Sequence, residues 1–104
     1  MAPLLHIVAL RFRDDLDTDF ITAHFLNDVR LDSRMPDLVK TFTFHRNVSL
    51  LDRADVNGGC SWVVMSTLFD ESMLKTYLEH PEHRDVGRIQ APLLTGKFVL
   101  DVVV

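Results

Sequence analysis

Apolar residues fall along this chain in two rhythms, alternating or spaced by three and four, and the switches between them mark out its elements. The segment "LLHIVALRF" at 4–12 is rich in β-formers and stops at the polar "RDDLD", which predicts a first strand. One face carries Leu5, Ile7 and Ala9, the other Leu4, His6, Val8, Leu10 and Phe12. Both are largely apolar, so this strand is expected to be covered on two sides. Asp17 or Thr18 can cap a helix in which Phe20, Ile21, His24, Phe25 and Val29 form one apolar side, ending before "MPD". "VKTFTFHRNVSL" at 39–50 alternates through Thr41, Phe42, Thr43 and Phe44, predicting a second strand with one more polar face.

The stretch "DRADVNGG" then reads as a mobile connection, and "CSWVVMSTLF" at 60–69 as a third strand, apolar on both faces. Asp70 or Ser72 can cap a second helix that buries Met73, Leu74, Tyr77 and Leu78 and runs to about Glu79. Pro81 ends it, because the residue before a proline is pushed out of the helical region. Proline is also favoured in a first turn, so "PEHRDVGRIQ" can start a further short helix with Val86 and Ile89 inward. "KFVLDVVV" at 97–104 predicts a fourth strand, apolar on both faces except at Asp101.

Strand, helix, strand, strand, helix, strand is the order of a ferredoxin-like α+β fold: a four-stranded antiparallel sheet with its helices on one face. With no internal repeat or linker, residues 1–104 are expected to form one domain. The second sheet face, with Leu5, Ile7 and Val63, would leave several hundred Å² of apolar surface in water, more than a soluble monomer usually carries. A second copy is the simplest cover, so a homodimer with its sheets face to face is expected.

Composition narrows the function. Eleven basic and fifteen acidic residues give a formal charge of -4, with Lys and Arg scattered, which argues against a nucleic-acid partner. No apolar run approaches the roughly 18 residues that span a bilayer, and "MAPLLHIVAL" lacks a basic leader and cleavage site, so no membrane partner is expected. Cys60 is single, which excludes an intramolecular disulfide and fits cytoplasmic residence.

The chemistry gathers in "YLEHPEHRDVG" at 77–87. A metal site is one reading of two histidines three apart, but Pro81 breaks the helical geometry and "HPEH" matches neither zinc-enzyme spacing. Capping is another, with Tyr77 a core aromatic and His80 and His83 bonded to backbone around the break. Convergence on a pocket is the third: His6 shares a face with Val8, Leu10 and Phe12, and His24 lies on the apolar stripe of the first helix. Each buried polar group left unpaired costs about 1 to 3 kcal/mol, which favours a shared purpose for several together.

The opening "HIVALRFRDD", the "MPD" helix exit and "YLEHPEH" followed by "VG" resemble the stress-responsive α/β-barrel family, called Dabb, over nearly the whole chain. The resemblance implies a dimeric α+β barrel. Some members are polyketide cyclases of the olivetolic acid cyclase type, which close a linear polyketide by intramolecular aldol condensation without cofactor or metal. It implies His83 as general base, Tyr77 as assisting hydrogen-bond donor and His6 in the same pocket. The remaining substrate-binding residues are expected to be Val8, Leu10, His24, Phe25, Asp28, Val86 and Leu94, the substrate being small and hydrophobic or polyketide-like. Isomerisation, dehydration, decarboxylation or pericyclic closure would use the same groups, and a non-catalytic stress-responsive dimer that binds a hydrophobic ligand is the reading from a different class.

Overall fold

Four strands pair in the order β2-β3-β1-β4, all antiparallel, in a computed structural model that describes residues 2–48 and 58–104. The end of the expected second strand and most of the connection after it lie outside the described residues. The strands are β1 (Leu4–Phe12), β2 (Val39–Arg46), β3 (Trp62–Leu68) and β4 (Leu94–Val103). Helices α1 (Thr18–Asn27) and α2 (Leu31–Arg34) join β1 to β2, and α3 (Leu74–Glu79) and α4 (Pro81–Gln90) join β3 to β4. This is a ferredoxin-like α+β fold. β4 begins three residues earlier than its apolar run suggests, because a register shift opposite Arg11 and Phe12 lets Leu94 pair with Phe12.

Local chemistry explains the breaks. The Asp17 carboxylate accepts from the Phe20 backbone N–H at 2.8 Å and starts α1. The single helix expected up to "MPD" is in fact two pieces, and Phe20, expected on its buried side, is 48% exposed. Ile21, His24 and Phe25 form the buried stripe, and Phe20 lies about 100° away from Ile21 around the axis. Val29 is buried beyond the helix end. Asp70 accepts from the Ser72 backbone N–H at 3.3 Å at the start of the turn leading into α3. Of the apolar residues expected inward on α3, Tyr77 is fully buried while Leu78 is 42% exposed.

Pro81 both ends α3 and opens α4. Between them His80 is extended, and its Nδ1 accepts from the Glu82 backbone N–H at 3.1 Å. An Arg34 nitrogen donates to Glu82 and Asp85, each at 2.8 Å, and so ties α2 to α4.

Alternation sorts the sheet into two faces. Leu4, Leu10, Phe12, Trp62, Val64 and Leu68 are buried beneath the helices. Among the described residues the opposite face has no helix over it: Phe98 and Leu100 are 60% and 63% exposed, beside half-buried Leu5, Ile7, Val63 and Met65. On the β2 edge of that face stand Thr41, Thr43 and His45. Among the described residues no helix is long and apolar enough to cross a membrane.

Candidate active site

A cavity of about 150 Å³ lies between the helix face of the sheet and helices α3 and α4. A volume of this order accommodates a molecule the size of benzene. α4 presents His83, Val86, Gly87 and Gln90 to it, positions 0, 3, 4 and 7 of one helical face. Buried Leu10, Phe42 and Val64 of the sheet make an apolar floor, and buried Val29, Leu31 and Val86 extend the apolar lining on the helical side. The exposed wall residues Leu78, Gly87, Lys97 and Val99 mark its opening.

Four polar side chains run in series along one side. Asp101 is the cross-strand partner of His6, and its carboxylate stands 2.5 Å from His6 Nδ1. The His6 ring meets Tyr77 edge-on with centroids 5.3 Å apart, and Tyr77 meets His83 at 4.7 Å. Tyr77 is fully buried, yet its hydroxyl has no hydrogen-bond partner among the described residues. A buried hydroxyl left this way costs about 1 to 3 kcal/mol, so the site carries an unfilled place for an acceptor.

Electrostatics assigns the protons. Burial, and after it the Asp101 charge, raises the Tyr77 hydroxyl well above the ordinary tyrosine range, so it remains a neutral donor. Burial is also the largest cause lowering His83, with His6, Lys97 and His80 adding to it and a hydrogen bond with the Leu78 backbone opposing. His83 is therefore neutral at pH 7. A backbone contact that favours the charged ring is one in which a ring N–H donates to a carbonyl, which leaves the other ring nitrogen as a base.

His6, Val8, Leu10, Tyr77, His83 and Val86 of the expected set lie on the cavity wall. Four others do not. Phe25 is fully buried and stacks on Phe44 at 4.8 Å, in the core beneath α1. His24 sits behind the wall, its Nε2 3.1 Å from the amide nitrogen of the wall residue Gln90. Burial lowers its pKa despite Asp28, whose exposed carboxylate stands 3.6 Å from Nδ1. The Gln90 amide thus donates to Nε2 and Nδ1 carries the proton facing Asp28. Leu94, at the start of β4, packs against the core. These four are displaced because the cavity is roofed by α3 and α4, whereas α1 covers the neighbouring aromatic cluster.

Asp101, Gln90 and Lys97 belong to the site and were not expected. Gln90 falls on the stripe begun by His83, a signal present in the sequence, and Lys97 and Asp101 share one face of β4 with Val99. Among the described residues, no three His, Cys, Asp or Glu side chains are grouped as a metal ion would require.

The fold is thus a ferredoxin-like α+β domain with a cavity bearing His6, Tyr77 and His83 between its sheet and the helices α3 and α4. The model of the stress-responsive A/B barrel domain, Dabb, matches residues 4–104, and the chain belongs to that family. No curated protein matches the sequence. Among solved structures, the chain is similar to a dimeric ferredoxin-like protein of unknown function from Thermobifida fusca, 23% identical with a TM-score of 0.72, covering 99% of this chain and 92% of that one. It is similar to the hydroxynitrile lyase of Passiflora edulis at 16% identity and a TM-score of 0.80, covering 99% and 94%. A Dabb family protein with a ferredoxin-like fold from Mesorhizobium loti is 17% identical with a TM-score of 0.72, covering 100% and 98%. At such identities the likeness establishes the fold.

Proposed function

We propose that this protein is a cofactor-independent acid–base catalyst acting on a small carbonyl compound, most simply the intramolecular aldol closure of a polyketide-like chain. The observation that carries this reading is the buried Tyr77 hydroxyl, without a partner among the described residues, one ring contact away from the neutral His83. His83 takes a proton from a carbon between two carbonyls, and the electron pair moves onto a carbonyl oxygen that accepts the Tyr77 hydrogen bond. The enolate carbon then attacks a second carbonyl of the same chain, one carbon–carbon bond forms, and His83 returns its proton to the new alkoxide. Asp101 fixes the orientation of His6, whose ring buttresses Tyr77. The apolar floor excludes water and holds the chain folded, which adds an orientation effect.

Carbon–carbon bond cleavage is the runner-up, favoured by the likeness to a hydroxynitrile lyase. The same base would then remove a hydroxyl proton, the carbon–carbon bond would break as the carbonyl forms, and its electron pair would leave with the departing carbon fragment, which takes up the proton from His83. The working unit is a homodimer in which the bare sheet faces cover one another. Its support is the exposed Phe98 and Leu100, together with the dimeric state of the similar Thermobifida fusca protein.

Incubation with a panel of linear β-polyketones, read by mass spectrometry, tests the activity. Cyclised products that form with the native protein and about 10³-fold more slowly with His83→Ala support it. Ligands that raise thermal stability and emerge unchanged would instead support a binding protein.

A further inference from the structure

Among the described residues, Lys97 is the one Lys, Arg, Asp or Glu on the cavity wall. It stands on β4 directly across from Leu10, on the face shared with Val99 and Asp101. Its strand neighbours on the wall, Leu10 and Val99, are aliphatic. Arg13, Arg30, Arg34 and Arg88 each hold a carboxylate in an ion pair, whereas among the described residues no carboxylate lies within ion-pair reach of Lys97. The acid nearest along its face of the strand, Asp101, is engaged by His6. Lys97 is also close enough to His83 to help hold that ring neutral.

An ammonium at the rim of an apolar cavity, with no counter-ion among the described residues, is placed to meet an anion that arrives with the ligand. A charge-assisted hydrogen bond there is roughly twice as strong as a neutral one, and the apolar wall limits its screening. The geometry points to a substrate that is an oxo acid: its carboxylate rests on Lys97 at the rim, and its ketone reaches Tyr77 and His83 inside. This rests on the carbonyl chemistry proposed above and names the class of compound that chemistry acts on. One charge at the rim and one donor within would also fix which end of the chain enters first.

The test uses 5-oxohexanoate and its methyl ester, which share a ketone and differ in the anion, titrated against the full chain and followed through the methyl resonances of Leu10, Val64 and Val86. The native protein is expected to bind the acid about tenfold more tightly than the ester, a difference of about 1.4 kcal/mol. Lys97→Met removes the preference by weakening the acid alone, Lys97→Arg keeps it, and Tyr77→Phe weakens both probes alike. Equal affinity for the two in the native protein, or a preference that survives in Lys97→Met, overturns the oxo-acid assignment while leaving the carbonyl chemistry standing. If neither probe binds, both fall.

Discussion

Replacing Tyr77 with Phe should make the protein more stable and less active, and the opposed signs are what distinguish a working hydroxyl from a structural one. The ring is fully buried and its oxygen has no partner among the described residues, so the folded state bears a desolvation cost of about 1 to 3 kcal/mol. Phe keeps the ring contacts with His6 and His83 and deletes only the oxygen. The small void left behind offsets part of the gain, so a net stabilisation of about 1 kcal/mol is expected, or roughly 4 to 8 °C in Tm for a domain of this size. Loss of one donor to a developing oxyanion costs about 10²-fold in kcat or somewhat more. Thermal and urea unfolding followed by circular dichroism supply the first number, and turnover of any compound found active in the polyketone panel supplies the second. A Tyr77→Phe protein that is destabilised by a kilocalorie or more and turns over normally would mean that the hydroxyl serves the fold and not the reaction.

Three further outcomes are expected. Gly87→Ala should stabilise by about 1 kcal/mol in a denaturation series, since alanine is the better helix former and a Cβ added there meets nothing within 4 Å. Stability should fall as pH drops below the ordinary histidine value of about 6.5, because burial lowers both His24 and His83 and the unfolded chain therefore binds protons that the folded chain resists. Urea midpoints measured from pH 7.5 to pH 5 check the sign, and a midpoint that rises on acidification would contradict it. Leu100→Glu should convert two-chain particles into single chains by light scattering with little loss of secondary structure, as the residue is 63% exposed on the bare sheet face.

Much of the architecture was legible because each element announces itself locally. Alternation through Leu4, His6, Val8, Leu10 and Phe12 picks out the helix face of β1, and the Pro81 break separates two helices that a simple periodicity count would join. What escaped depends on contacts distant in sequence. Nothing local pairs His6 with Asp101; the pairing follows from the β1–β4 register, which closes only when the chain folds. His24 has the same apolar spacing as a wall residue and lies one layer behind it, because periodicity gives the side of a helix and not what covers that side. Lys97 reads as a solvated strand residue until the neighbouring helix shows that its face borders a cavity. The roles of Tyr77 and His83 as donor and base came from the resemblance of their block to a known family, and their spacing alone leaves capping, metal and a shared pocket open.

The proposed catalysis begins when a neutral His83 removes a proton from carbon inside the cavity. The most direct measurement is the exchange of α-protons of simple ketones and oxo acids in D₂O, followed by NMR with the native chain and with His83→Ala, since it needs no knowledge of the final product. Faster exchange is expected with the native chain, lost by about 10²-fold or more in the variant. Exchange at the same rate with and without the protein, across compounds that demonstrably bind in the cavity, would contradict it.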